Sequence, residues 1–565
     1  MAIGGLQSLG IDPRHRRVVV AAGLGTVFEW YDFFLYGALA STISKQFFAG
    51  ANENTGFILA LLAFAAGFAV RPLGAILFGR LGDVAGRKYT FLITISLMGV
   101  STTLVGVIPA YASIGIAAPF ILVSLRVLQG LALGGEYGGA AVYIAEHAPA
   151  DRRGRYTGWI NATSSMGLLL SLVIVLGCRF TFGQSFEVWG WRVPFLLSLV
   201  LLAISVYVRW RLHESPVFCS MRAQGTSSAA PLTEALLRWD NLRVILLSLF
   251  GMCAGSTVIF YTSQFYALFF LTQVLKLPAE SASLLMAAVL LVAVPLFALS
   301  GALSDRFGRK PLVLGGCLFA AVGLMPVFHA LTHYANPALE SAVQRSPVTV
   351  VADAGRCALQ FDPLGKSRFD SSCDIAKSAL TRRGIPYLNE PAAPRSLARI
   401  RVGEAELDSF EGAALPKATL SARRAQFDAS LDHALRAAGY PLQVDTQRVR
   451  YAALFALLLL LLVASSLTYG PQAAWLTELF PPRIRYTSLS VPYHFAVGWI
   501  GGFLPAIAFA LVAATGDMYR GLWYPIGFCV LTFVVGGLFL PDTYGRPEAI
   551  SAAWEVPGSS PPVAR

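Results

Sequence analysis

The chain has 565 residues, of which 55% are hydrophobic and 13% charged, with a formal net charge of +12 at pH 7. That balance is too apolar for an ordinary soluble globule and marks an integral membrane protein. The positive charge calls for no nucleic acid partner, because a positive-inside bias of the short loops accounts for it.

Crossing roughly 30 Å of hydrocarbon takes about 20 apolar residues. Twelve such stretches are predicted in chain order, at 18–43, 56–78, 90–110, 117–141, 156–178, 191–210, 243–271, 281–302, 311–332, 450–474, 490–514 and 521–540. The basic segment before the first has no apolar core or cleavage site, so that stretch is expected as a retained helix rather than a signal peptide. One set of loops holds Arg14, Arg16, Arg17, Arg80, Arg87, Lys88, Arg152, Arg153, Arg155, Arg306, Arg309, Lys310, Arg483 and Arg485. The opposite short loops hold only Lys45, Arg179, Arg192, Lys276 and Arg520, which predicts both termini on the cytoplasmic side.

An internal repeat organises these stretches. Gly79-Arg-Leu-Gly-Asp-Val-Ala-Gly-Arg-Lys88 returns as Gly301-Ala-Leu-Ser-Asp-Arg-Phe-Gly-Arg-Lys310, 222 residues later. Glu146 with Arg155-Tyr-Thr157 is echoed by Glu478 with Arg485-Tyr-Thr487, 330 residues on, so the second half carries about 108 extra residues between the two markers. The expected organisation is an all-α membrane protein of twelve transmembrane helices in two six-helix bundles. The bundles are 1–210, and 243–332 with 450–540; a cytoplasmic linker at 211–242 joins them, and a cytoplasmic tail follows at 541–565.

The insertion, 333–449, falls between helices nine and ten and so faces outward. Its fifteen basic residues from Arg345 to Arg448 against thirteen acidic ones from Glu340 to Asp445 suit a folded soluble unit. A strand is predicted at 348–351 and helices at 372–383 and 421–438, the last stopped by Gly439 and Pro441. The unit is expected to be small and mixed α/β. Cys357 and Cys373 both lie in it, where an oxidising compartment permits a disulfide; the other five cysteines are scattered singly in or beside apolar stretches, as packing residues are. Leu364-Gly-Lys-Ser367 resembles the end of a phosphate-binding loop, but Gln360 stands where the first glycine is required. No ATPase, metal or other cofactor is expected.

Buried ionisable groups carry the chemistry. Glu29 and Asp32 are three residues apart and Tyr36 four further, so they share a helical face on the order of 16 to 27 Å into the first span. A carboxylate there costs at least about 2.5 kcal/mol, which makes Glu29 and Asp32 candidates for carrying a proton. Arg71 and Arg126, too deep to snorkel easily, are expected partners for these acids or for a substrate carboxylate. Arg126 leads a run through Gln129 to Gly139, in which Gly130, Gly134 and Gly138 form a smooth stripe for a neighbouring helix. Tyr137 returns to the Arg126 face, whereas Glu136 points roughly 80° away and is a third proton-site candidate.

In each decapeptide an aspartate precedes an arginine by four, Asp83 with Arg87 and Asp305 with Arg309, and the pairs are expected to act as a cytoplasmic gate. Gly86 and Gly308 permit the tight turn between them. The second half offers mostly neutral groups: Tyr261, Gln264 and Tyr266 on helix seven, Tyr469 and Gln472 flanking Pro471 on helix ten, Tyr493 and His494 on helix eleven. Tyr36, Arg71, Arg126, Gln129, Tyr137, Tyr261, Gln264, Tyr469 and Gln472 are the predicted substrate-binding residues.

The repeated decapeptide, the Arg126-x-x-Gln-Gly run and the duplicated helices together resemble the major facilitator superfamily. Within it, Glu29-Trp-Tyr-Asp-Phe33 followed by Arg71-Pro-Leu-Gly74 is similar to the bacterial metabolite:proton symporters. The resemblance implies a monomeric two-bundle transporter in a bacterial cytoplasmic (inner) membrane, not an enzyme, that takes a small organic acid or zwitterion together with protons. The long outer insertion departs from that pattern. Two alternatives remain at this level: efflux by proton antiport, and a receptor whose outer domain binds ligand while the helices anchor it.

Overall fold

A computed structural model describes residues 13–48, 63, 65–211, 214–358, 369–441 and 443–545. Among the described residues α1 covers Pro13–Ala38 and α2 covers Arg71–Val84. Among the described residues ten helices, all after these two, are long and apolar enough to cross a membrane: α3 (Arg87–Val107), α4 (Ala117–His147), α5 (Ala150–Phe182), α6 (Arg192–Trp210), α7 (Trp239–Val274), α8 (Ala279–Phe307), α9 (Arg309–Ala335), α10 (Tyr451–Leu479), α11 (Arg485–Thr515) and α12 (Arg520–Phe539). The first part of the predicted second span, the Leu364–Ser367 segment and most of the tail lie outside the described residues.

Helix ends depart from the hydropathy boundaries where polar termini are buried. α4 runs on to His147 and α10 to Leu479, because the polar residues of their last turns are packed between the halves rather than exposed. α1 stops at Ala38 instead of continuing to 43; the backbone leaves the helical region at Leu39 and a separate helix covers Ala40–Phe47. The predicted linker is itself partly helical at Pro216–Ala223, and α7 begins four residues earlier than expected, at Trp239.

Within the first half α4 packs against α2 and α3, and α1 against α5. The glycine stripe of α4 is used for close backbone approach: Gly130 receives the carbonyl of Gly67 and Gly134 that of Arg71. The halves meet where α8 lies on α5, α11 on α2 and α10 on α5. Gly154 and Gly301 come so near that a Cβ on either would strike the other's carbonyl oxygen. α7 and α11 contain π-helical turns at Thr262–Tyr266 and Ala496–Gly501, which rotate the side chains that follow them relative to a regular helix.

The inserted segment folds around a four-stranded sheet in the order β2-β1-β3-β4: β1 (Val348–Ala352), β2 (Leu388–Pro391), β3 (Arg399–Val402) and β4 (Ala405–Asp408). β1 and β2 are parallel, with the helix Ser372–Arg382 as their crossover; β3 and β4 are antiparallel neighbours. The three later strands escaped the sequence reading because they are only four residues long and carry charges on one face. Cys357 and Cys373 form a disulfide with their Cα atoms 5.3 Å apart. This unit is fastened to the second bundle. Tyr387 N–H donates to the Gly516 carbonyl at 3.0 Å, Asn389 Nδ2 to Thr515 at 2.7 Å and Lys377 Nζ to Ala514 at 3.2 Å, all at the carbonyl end of α11.

Candidate functional site

The first-half acids divide into two clusters. Glu29 on α1 and Glu136 on α4 converge on Arg209, in the last turn of α6. Its guanidinium reaches Glu136 Oε1 at 2.5 Å and Oε2 at 3.2 Å, and Glu29 Oε1 at 3.2 Å. Thr26 and Thr94 donate to the Glu136 carboxylate at 3.1 and 3.4 Å. The guanidinium lies flat against α1 because Gly25 is there; a Cβ at that position would come within 2.5 Å of its Nε. All three charged side chains are buried, so two carboxylates share one cation away from water.

Arg71 and Arg126, expected as partners of these acids or of a substrate carboxylate, make no ion pair with Glu29 or Glu136, whose cation is Arg209. Arg209 drew no attention in the sequence, since an arginine in the last turn of a membrane helix ordinarily extends to the interface. Here it folds back along α1 instead. The available signal was a glycine, Gly25, one turn before Glu29.

Asp32 belongs to the second cluster and makes no ion pair among the described residues. Ser198 of α6 donates to Asp32 Oδ1 at 2.6 Å, and Thr102 of α3 stands beside the carboxylate. Gln129 Nε2 donates to Thr102 Oγ1 at 2.8 Å, the Thr102 hydroxyl donates to the Met98 carbonyl at 3.0 Å, and Arg126 donates to Gln129 Oε1 at 2.5 Å. The Arg126 guanidinium lies 4.1 Å from the Tyr36 ring and donates to the Phe33 carbonyl at 3.4 Å. Arg126, Gln129 and Tyr36, expected as substrate contacts, thus lie together, with Gln129 bonded to Thr102 and Tyr36 stacked on Arg126.

A third group of residues lies between the halves. Arg71 is fully buried beneath three rings, its guanidinium carbon 4.2 Å from the Phe33 centroid, 4.6 Å from Phe68 and 5.2 Å from Trp30. Tyr261, Tyr469, Tyr493 and His494 of the second half face it. The Tyr261 side chain is the hydrogen-bonding neighbour of its guanidinium, which makes no ion pair among the described residues. Tyr137 stacks on Tyr493 with centroids 3.5 Å apart and planes 9° from parallel. Asn161 of α5 donates to the Tyr469 carbonyl, and Gln264 Nε2 donates to Ser165 Oγ at 3.0 Å, leaving Gln264 Oε1 without a donor. Gln472 lies one helical turn beyond Tyr469 beside Cys253, which also neighbours Tyr137. Arg71, Tyr137, Tyr261, Tyr469 and Gln472 therefore gather at one place, joined by Tyr493 and His494, while Gln264 bonds Ser165 of α5.

At the decapeptide end, each aspartate bonds its own arginine and the opposite half. Asp83 lies 3.5 Å from Arg87 and accepts from Tyr486 N–H at 3.3 Å, Thr487 N–H at 3.0 Å and Thr487 Oγ1 at 2.7 Å. Asp305 lies 2.7 Å from Arg309 and accepts from Gly154 N–H at 2.8 Å and Arg155 N–H at 2.7 Å. Each carboxylate thus satisfies free N–H groups at a helix start, where it also complements the helix dipole. Behind them Glu146 joins Arg87 to Arg485, and Glu478 joins Arg309 to Arg153. Both sequence echoes meet here. Glu214 and Asp542, not singled out in the sequence, complete the symmetry by accepting from the backbone N–H of Arg87 and Arg309, each at 3.1 Å.

Comparisons with known proteins agree with this architecture. Residues 18–239 match the family model described as sugar (and other) transporter, and residues 142–352 that of MFS/sugar transport protein. The chain is 38% identical over 329 residues to the shikimate transporter of Escherichia coli (strain K12), covering 56% of this chain and 73% of that protein. It is 35% identical over 328 residues to the proline/betaine transporter of Salmonella typhimurium, covering 56% and 65%, so it spans about two thirds of that relative's length. The fold matches the solved proton:xylose symporter XylE bound to 6-bromo-6-deoxy-D-glucose with a TM-score of 0.62 at 16% identity, over 96% of this chain and 99% of that one.

Proposed function

Because the chain belongs to the major facilitator superfamily of metabolite transporters, a family of multi-pass membrane proteins and not of enzymes, we propose that it is a proton-coupled symporter that imports a small organic carboxylate by alternating access. It works as a monomer with twelve membrane helices in a bacterial cytoplasmic membrane, with both termini and both decapeptides inside and the sheet-containing insertion outside. The observation that carries this reading is Asp32: a buried carboxylate held by neutral donors, with no cation among the described residues to keep it charged. Such a group takes up a proton more readily than one clamped by an arginine.

Asp32 loads a proton from outside, and Arg126 holds the Gln129–Thr102 pair in register beside it. The Glu29–Arg209–Glu136 cluster contains one carboxylate more than its cation neutralises and accommodates a second proton. Arg71 receives the substrate carboxylate. Loading neutralises Asp32 and pairs Arg71 with the substrate carboxylate, which lets the halves rock, and the Asp83 and Asp305 contacts reseal the inner side. With two protons per carboxylate one net positive charge moves inward, for which 100 mV supplies about 2.3 kcal/mol, enough for roughly 50-fold accumulation. A ligand-sensing anchor has no need of ion clusters inside the bundle, and their presence favours transport over the receptor reading.

The test is uptake of labelled carboxylates into proteoliposomes with an imposed proton gradient. Asp32→Asn is expected to abolish accumulation while exchange of substrate across the membrane persists. Full proton-driven accumulation by that variant sinks the assignment; extrusion driven by the gradient would establish antiport instead.

A further inference from the structure

We propose that the Cys357–Cys373 disulfide of the inserted unit is a thiol–disulfide exchange site that accepts two electrons from an external dithiol, with Cys357 as the sulfur attacked and Cys373 as the sulfur released. The activity is separate from transport and does not depend on what the helices carry. Position comes first. The disulfide joins the turn after β1, a central strand of the sheet, to the first turn of the helix Ser372–Arg382, which crosses over to the parallel strand β2. Open α/β sheets bind their ligands outside the carboxyl ends of such strands. Redox motifs beside a βαβ pattern have two residues between their cysteines; here the sequence separation is 16, so the fold and not a motif brings the pair to that end.

Hydrogen bonds hold the two cysteines together independently of the S–S bond. Ser371 Oγ donates to the carbonyl of Arg356, just before Cys357, at 3.0 Å. The N–H of Ala358, just after Cys357, donates to Asp374 Oδ1 at 2.9 Å. The helix start is fixed in turn by the sheet, with Ala398 N–H donating to Ser372 Oγ at 3.1 Å and Ser409 Oγ to the Ser372 carbonyl at 2.7 Å. With the disulfide open, these bonds keep Cys357 beside Cys373, and that proximity is what a reversible exchange needs.

Access and leaving ability separate the two sulfurs. Cys373 is 2% exposed, whereas Cys357 is half-buried and lines an open cavity of about 400 Å³ together with Lys377, Asn389 and Pro391. An incoming thiolate therefore meets Cys357. Cys373, in the first turn of the helix, leaves the more readily, because the free N–H groups and the dipole there favour its thiolate. Lys377 follows one turn along and puts a positive charge on the cavity wall; the acid between them, Asp374, is bonded to the Ala358 N–H and faces Lys377. One thiolate of the dithiol attacks Cys357 Sγ, the Cys357–Cys373 bond breaks and its electron pair stays on Cys373. The second thiol passes its proton to the Cys373 thiolate, attacks its own partner sulfur in the mixed disulfide and releases Cys357 as a thiolate. The dithiol departs as a disulfide, and the unit keeps the two electrons as one thiol and one thiolate.

Full-length protein purified in detergent should be given a limiting amount of dithiothreitol in the presence of an equal concentration of oxidised glutathione, trapped with N-ethylmaleimide, and the peptides carrying Cys357 and Cys373 quantified by mass spectrometry. The Cys357–Cys373 bond is expected to be reduced at least about 10-fold faster than the glutathione disulfide, whose leaving thiol has no helix to favour it. A synthetic peptide with two cysteines separated by two residues, used in place of dithiothreitol, tells a protein donor from a small one by which of the two reacts faster. In Cys373→Ser, oxidised glutathione should mark Cys357 at least about 10-fold faster than it marks Cys373 in Cys357→Ser, because access differs. Should either single variant fail to fold, the competition with the wild-type protein decides alone. Reduction no faster than that of oxidised glutathione, or equal marking of the two cysteines in folded variants, overturns the inference.

Discussion

Thr487 holds Asp83 with both its backbone N–H, at 3.0 Å, and its hydroxyl, at 2.7 Å, although the two residues belong to opposite halves. Asp305 stands in the mirrored relation to Gly154 and Arg155. A carboxylate at a helix start gains from several N–H donors at once and from the helix dipole, so each decapeptide acts across the interface rather than within its own turn. The glycines just before α3 and α9 make the turns possible: Gly86 and Gly308 have φ of 114° and 97°, a region other residues enter only at a cost.

Asp83→Asn keeps the shape and removes the charge. The change is expected to weaken closure at the decapeptide end by about 1 to 2 kcal/mol. Spin-label distances across that end should broaden toward longer values in both Asp83→Asn and Asp305→Asn. Unchanged distance distributions in both variants would show that the contacts follow closure without contributing to it.

Arg209→Gln leaves Glu29 and Glu136 buried without their cation. Removing one partner of a buried pair destabilises by about 3 to 5 kcal/mol, and the double variant Arg209→Gln/Glu136→Gln should recover part of that loss. Thermal unfolding in detergent measures both. A double variant no more stable than the single one would contradict the assignment of Arg209 as the shared counter-charge.

Gly301→Val places a branched side chain where only a hydrogen fits against the Gly154 carbonyl. Overpacking of this kind costs about 1 to 3 kcal/mol. The cost falls on the state in which α5 and α8 touch, so uptake should drop by about tenfold or more while the folded protein is retained. A cysteine placed beside the decapeptides should become more reactive to a membrane-impermeant maleimide applied to that side; equal reactivity would exclude the effect.

Cys357→Ser/Cys373→Ser opens a loop of sequence separation 16 in the inserted unit. Loss of a closed loop of that size is worth about 3 kcal/mol. Limited proteolysis should cut the variant within 333–449 while the helices resist. The same cleavage rate for wild-type protein with and without reductant would argue that the disulfide adds nothing to the unit's stability.

The sequence by itself determined what depends on local composition: the apolar stretches, the duplicated decapeptide, the size and position of the insertion, and the pairs Asp83–Arg87 and Asp305–Arg309, whose members are only four residues apart. Hydropathy and helical spacing act over one or two turns, and those features need nothing more. Tertiary structure alone decided the partners of the acids. Arg209 is 180 residues from Glu29 and 73 from Glu136, and what brings them together is the bare α1 backbone at Gly25, which no periodicity reports. It also separated Arg71 from Arg126. Both are deep arginines in the sequence, yet packing joins Arg126 to Gln129 and through it to Thr102, whereas Arg71 faces Tyr261 of the other half.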